Sequence, residues 1–188
     1  MKKIAVFASG SGSNMLAIYD AIQSNKLEAE IAIVVVDKPD AKVIEKTNKH
    51  GIKTLICDFK LFDSKMEYER NILDELSELS IDLIVLAGYM RLISPVLLGV
   101  YKRRIINIHP SLLPKYKGKC AIEQAYEAKE TVYGVTIHYV DEGMDTGEII
   151  EQRSFEEFSR DIELIERRIH ETEHNMYYEV IKKVLEEL

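Results

Sequence analysis

Five short apolar runs, each followed by a helix-like stretch, constrain this chain more than anything else in it. They are KKIAVFA (2–8), AEIAIVVVD (29–37), IKTLI (52–56), DLIVLAG (82–88) and residues 104–108. AEIAIVVVD and DLIVLAG do not alternate with polar residues, as expected of strands covered on both faces. Between the runs, residues 14–24 read as a helix. Residues 41–50 form a second, ended by Gly51. A third spans 64–79, capped by Asp63 or Ser64, with Met66, Ile72, Leu76 and Leu79 on its apolar stripe. Ser94-Pro95 opens a short fourth helix that runs to about Tyr101. Strand–helix alternation with short connections predicts an α/β, Rossmann-like doubly wound sheet whose N-terminal half is parallel.

The second half changes character. Residues 120–129 are helical. VYGVTIHYV, 132–140, alternates Val135, Ile137 and Tyr139 against Thr136 and His138, which predicts a half-exposed antiparallel strand. Another strand covers 148–155, and a long helix runs from 161 to 187. No repeat or linker divides the chain. One domain over 1–188 is expected, with a mixed, antiparallel C-terminal half.

A net charge of −7 argues against a nucleic-acid partner or an anionic membrane surface, so an anion would have to be held by a local site. No apolar segment is long enough to span a bilayer. Two cysteines, Cys57 and Cys120, and a start without a signal-peptide pattern lead to a cytoplasmic expectation.

Four constellations carry chemistry. ASGSGSN, 8–14, follows a strand and opens a helix, where backbone N–H groups and the helix dipole favour an anion. The third glycine of a dinucleotide fingerprint would fall at Met15, and no Gly-Lys-Ser/Thr is present. A phosphate monoester suits this loop better than a pyrophosphate, and an ordinary tight βα turn is the other reading. NIHPSLLPKYKG, 107–118, sits at the carboxyl end of the fifth strand. Asn107 and His109 lie two apart and so point the same way. Two donors there could stabilise an oxyanion, with Pro110 and Pro114 stiffening the loop beyond them. A histidine satisfied at a strand end is the alternative.

The third is DEGMDTGE, 141–148, an acidic turn from which Asp145 could fold back toward His109, where a carboxylate favours the charged ring. The fourth lies in the last helix. Glu173 falls within the stripe of Ile162, Ile165, Ile169, Met176, Val180 and Val184, and a carboxylate there needs a partner or a ligand. His170 and His174 fall off that stripe and are expected at the surface. His109, His138, Cys120 and Asp145 lack the short spacing of metal ligands, so no metal is expected. Ser111 and His109 are too close in sequence to act as nucleophile and base.

Taken together, SGSGSN, LAGYMRLIS (86–94), NIHPSLLPKYKG and GVTIHYVDEGMDTGEII (134–150) resemble the glycinamide ribonucleotide formyltransferase family of purine synthesis, within the folate-dependent formyltransferases. The resemblance covers essentially the whole chain. It implies a single formyltransferase domain that moves a formyl group from 10-formyltetrahydrofolate, as co-substrate, to the amine of glycinamide ribonucleotide. It implies Asn107, His109 and Asp145 as catalytic residues. Gly12, Ser13, Asn14, Pro110 and Glu173 would face the amine substrate. Lys65, Met90, Arg91, Leu92, Ile93, Val140, Asp141, Glu142, Gly143 and Met144 would form the folate cleft. The chain departs from the family at Lys65 and Lys117, where many members carry Arg and Pro, at Lys119-Cys120-Ala121, and at Tyr178, where Pro is usual. Partners would be small molecules, with no nucleic acid and no membrane. The long last helix leaves a homodimer open. Two alternatives remain: a formyltetrahydrofolate deformylase-like hydrolase, and a non-catalytic phosphosugar-binding module.

Overall fold

The computed structural model describes residues 1–188. Its strands are β1 (Lys2–Ala8), β2 (Ala29–Val36), β3 (Thr54–Ile56), β4 (Leu83–Leu86), β5 (Ile105–His109), β6 (Val132–Tyr139) and β7 (Ile149–Glu156). The helices are α1 (Ser13–Gln23), α2 (Val43–Lys49), α3 (Lys65–Leu79), α4 (Pro95–Val100), α5 (Ala121–Glu127) and α6 (Ile162–Glu187). One seven-stranded sheet has the order β3-β2-β1-β4-β5-β6-β7. β1 through β5 pair in parallel, and β6 and β7 join antiparallel. The expected fold class is borne out, and the strand order reverses between β1 and β4.

The unbroken apolar runs have a direct cause. Along β1, β2 and β4, side chains alternate between two separate cores. Val6, Val34 and Val85 pack under Met15 and Ile18 of α1 and Ile169, Met176 and Val180 of α6. Phe7, Ile33 and Ile84 pack under Tyr68, Ile72 and Leu76 of α3 and Leu97 of α4. Where both faces are dry, over Ile4–Ala8, Ile33–Val36 and Leu83–Leu86, every side chain is apolar, and the polar Lys2, Lys3 and Glu30 stand near the strands' N-terminal ends. Each fully buried Val or Ile contributes roughly 1.5–3 kcal/mol.

Two expectations are corrected. On α3 the buried face is Tyr68, Glu69, Ile72 and Leu76, while Met66 is exposed. Six residues of helix turn through about 600°, which sets Met66 far from the face of Ile72. On β6, Thr136 and His138 are buried rather than half-exposed. Their face is polar because it packs on the chain beyond β5. Thr136 Oγ1 donates to the Ser111 carbonyl (2.7 Å) and accepts from Leu113 N–H (3.1 Å) and the Gln152 amide (2.8 Å).

Candidate active site

β1 ends at Ala8, and the chain turns through Ser9–Gly12 into α1. Gly12 is the residue before the helix and has φ +71°. A Cβ built there would lie 2.4 Å from Val43 Cγ2, so both the backbone angle and the packing require glycine. Gly10 has open space around it, so protein packing does not require glycine there. Gly12→Ala is expected to lower stability by more than the roughly 1–2 kcal/mol of a left-handed residue, because Val43 must also move. Thermal denaturation checks this, and an unchanged melting temperature would contradict it.

Beyond this turn stands α6. Tyr177 O–H donates to the Leu86 carbonyl (2.7 Å), which pins the helix over the end of β4. Glu173, one turn earlier on the same face, is thereby held at the carboxyl edge of the sheet. Its Oε2 accepts from Asn14 Nδ2 (3.2 Å) and pairs with His170 Nδ1 (2.9 Å). The anomaly in the apolar stripe is thus a buried carboxylate whose partners come from α1 and its own helix. Asn14 Oδ1 is enclosed without a partner. His170 lines the cleft instead of merely facing solvent, and the Glu173 hydrogen bond raises its pKa against the opposing effect of burial. His174 is half-buried, its pKa lowered by burial.

On the far side, β5 and β6 bring the polar groups together. Their register sets Asn107 opposite His138. The Asn107 amide lies 3.2 Å from His138 Nε2 and donates to Asp145 Oδ1 (3.4 Å). The flipped amide would set its oxygen against that carboxylate. His138 Nδ1 lies 2.8 Å from the Tyr139 carbonyl, which requires it to donate and leaves Nε2 as acceptor in the neutral ring. His109 Nδ1 stands 3.4 Å from Asp145 Oδ2, and its Nε2 stands 2.8 Å from the Tyr116 carbonyl. Both neighbours of the ring are acceptors.

The expected return of Asp145 toward His109 therefore occurs, at φ +53°, a conformation that aspartate tolerates better than most residues. Its one short bond is from Gly118 N–H to Oδ2 (2.8 Å), which ties the 141–147 turn to the loop after β5. Contacts of 3.4–3.5 Å to Asn107, His109 and His138 are long. They are weak enough to yield to a ligand.

Burial opposes ionisation of Asp145, but the neighbouring His138 ring, the Gly118 N–H and the His109 ring outweigh it and lower its pKa. A carboxylate lowered in the folded state contributes stability above its unfolded pKa, near 3.9, and loses it as pH falls through the lower folded value. Melting curves between about pH 5 and pH 2 are expected to fall less steeply for Asp145→Asn than for the unsubstituted chain. Equal slopes would contradict the shift.

A cleft of about 580 Å³ joins these two ends. Of the residues singled out in the sequence, Gly12, Ser13, Asn14, Asn107, His109, Pro110, Asp145 and Glu173 line it. So do Met90, Arg91, Leu92, Ile93, Val140, Gly143 and Met144. Lys65, Asp141 and Glu142 do not. Asp141 instead folds the turn, accepting from Gly143 N–H (3.0 Å) and Thr146 Oγ1 (2.6 Å). Sequence reasoning missed His138, Gly118 and His170 as parts of the cleft. Only the β5–β6 register, which would have needed a residue-level pairing, could have flagged His138.

The sequence profile described as "Formyl transferase" matches residues 2–181. The chain belongs to the formyl transferase family. This formyl transferase is 48% identical to the phosphoribosylglycinamide formyltransferase of Bacillus subtilis, over 98% of the chain and 95% of that protein. The crystal structure of glycinamide ribonucleotide transformylase 1 from Geobacillus kaustophilus superimposes with a TM-score of 0.95 at 50% identity, covering 98% and 99% of the two chains. The trifunctional purine biosynthetic protein adenosine-3 of Drosophila melanogaster is 39% identical over 92% of the chain, which spans 13% of that longer protein.

Proposed function

We propose that this formyl transferase moves the formyl group of 10-formyltetrahydrofolate to the amine of glycinamide ribonucleotide, giving formylglycinamide ribonucleotide and tetrahydrofolate in purine biosynthesis. The observation that carries this reading is the approach of the Asp145 carboxylate to the His109 ring (3.4 Å) and the Asn107 amide (3.4 Å), in one cleft with the Gly12 turn. Full-length similarity to proteins named as glycinamide ribonucleotide formyltransferases supports the choice of the formyl acceptor.

In the proposed reaction the phosphate of the amine substrate lies on the Gly12–Asn14 turn, and Glu173 orients its sugar. Helix α1 supplies backbone N–H groups and a favourable dipole. Pro110 borders the same substrate. The folate lies along Met90–Ile93 and the turn carrying Val140, Gly143 and Met144. Asp141 acts through the shape of that turn, accepting from Gly143 N–H and Thr146 Oγ1. The amine attacks the formyl carbon, and the carbonyl oxygen takes up the electron pair. Asn107 and His109 stabilise that oxyanion. The two long contacts of Asn107 and His109 to Asp145 give way at this step. Collapse of the tetrahedral intermediate breaks the bond to the folate nitrogen. The amine proton passes toward that nitrogen with Asp145 as relay. No covalent enzyme intermediate is required.

A spectroscopic assay of tetrahydrofolate release tests this reading. Release is expected only when glycinamide ribonucleotide is present. Equal release without the amine would mean a hydrolase acting on the folate. Binding of the amine without any release would mean a phosphosugar-binding module.

A further inference from the structure

The Tyr89–Ser94 segment leaves the end of β4 and has no regular secondary structure, yet it forms one wall of the cleft through Met90–Ile93. No ladder of backbone hydrogen bonds shapes this wall, so its shape depends on anchors from elsewhere. Two of the anchors are carboxylates that are each only 2% exposed, Asp37 at the end of β2 and Glu69 on α3. Asp37 Oδ2 accepts from Arg91 Nε (2.8 Å), while the guanidinium lies over the Phe59 ring at 4.2 Å. Glu69 Oε1 accepts from Ser94 N–H (2.7 Å), and its Oε2 accepts from Ser94 Oγ and, at 3.4 Å, from Leu97 N–H. Tyr68, next to Glu69, shares a 2.7 Å hydrogen bond with Tyr89 at the segment's start. Neither carboxylate lines the cleft.

A buried carboxylate is unfavourable unless strongly paired. Here two of them converge on six consecutive residues and the first turn of α4. Packing alone would be served as well by apolar contacts. What the carboxylates add is direction: each fixes the orientation of a backbone or guanidinium N–H and thereby the positions of the backbone groups of residues 90–93 between them.

We propose that Asp37 and Glu69 are positioning residues for the formyl donor, clamping the 90–94 wall so that its backbone groups are set before the donor arrives. The clamp rests on the reading that the donor lies along this wall. It acts on donor affinity and leaves the amine end of the cleft and the chemical step unaffected, because neither carboxylate touches Asn107, His109, Asp145 or the Gly12 turn.

The test measures tetrahydrofolate binding by fluorescence titration, together with separate KM values for donor and amine, on Glu69→Ala, Glu69→Gln, Asp37→Asn and Ser94→Ala. Loss of hydrogen bonds to a charged group predicts tetrahydrofolate Kd and donor KM raised about 10–100-fold in Glu69→Ala and Asp37→Asn. Amine KM and kcat are expected to stay within about three-fold. Glu69→Gln, which can still accept from Ser94 N–H and donate to Ser94 Oγ, restores most of the affinity. Should Glu69→Ala fail to fold, Ser94→Ala reads the same anchor from its other partner, removing only the hydroxyl bond to Glu69 Oε2, with a smaller rise in Kd. Donor affinity unchanged in folded variants overturns the proposal, as does a joint shift of both KM values and kcat. If the unsubstituted chain binds tetrahydrofolate but formylates no amine, the proposed function fails while the clamp is still read by Kd. If it binds no tetrahydrofolate, both fail.

Discussion

Asp145→Asn is expected to fold normally and to lose about 10²–10⁴-fold in kcat, the range of a positioned acid–base group. Asparagine has the same shape, and its amide oxygen can still accept from Gly118 N–H, so the link between the 107–118 loop and the 141–147 turn survives. What disappears is the negative charge 3.4 Å from His109 Nδ1 and 3.5 Å from His138 Nε2. Without it no carboxylate faces the His109 and His138 rings, and the proton has no relay. KM for both substrates is expected to change little, because the loss falls on the transition state. Single-turnover kinetics with both substrates at saturation measures the effect directly. A kcat within about ten-fold of the unsubstituted chain would remove Asp145 from the mechanism.

Asn107→Ala is expected to reduce kcat by about 10²–10³-fold, the usual effect of deleting one oxyanion donor. Asn107 sits near the carboxyl end of β5, fixed by backbone pairing on both sides to Leu86 and His138, so its amide needs little reorganisation to meet the oxyanion. Asn107→Asp separates donation from size. It retains the shape but sets a second carboxylate against Asp145, where two like charges resist joint ionisation. Its activity is expected to be lost at neutral pH and partly regained on acidification, as one carboxyl of the pair takes up a proton. Activity of Asn107→Ala close to that of the unsubstituted chain would show that the amide serves only to hold His138.

The legible and illegible parts of this protein divide along a physical line. The parallel strands could be read because helices cover both faces. Val6 and Phe7 enter opposite cores, yet both must be apolar, and a run of that kind stands out in one dimension. Glu173 could be read for the converse reason, as a charge within an apolar stripe. β6 misled because alternation reports polarity and not exposure. Thr136 and His138 are polar since they bond to the Ser111 carbonyl and the Asn107 amide, partners that lie 25 and 31 residues away. Met66 misled because its six-residue offset from Ile72 is out of phase with the helical repeat.

The order of strands and helices along the chain and the chemical types gathered at the end of β5 were determined by local sequence. They depend on interactions within a few residues and on apolar patterning against water. That Asp145 meets His109, that Gly118 holds Asp145, that His138 and His170 join the cleft, and that Asp37 and Glu69 converge on residues 90–94 were decided only by the tertiary structure. Each requires two loops or strands distant in sequence to be brought within hydrogen-bond range. That approach is set by packing of the sheet and its helices, and no single stretch of the chain encodes it.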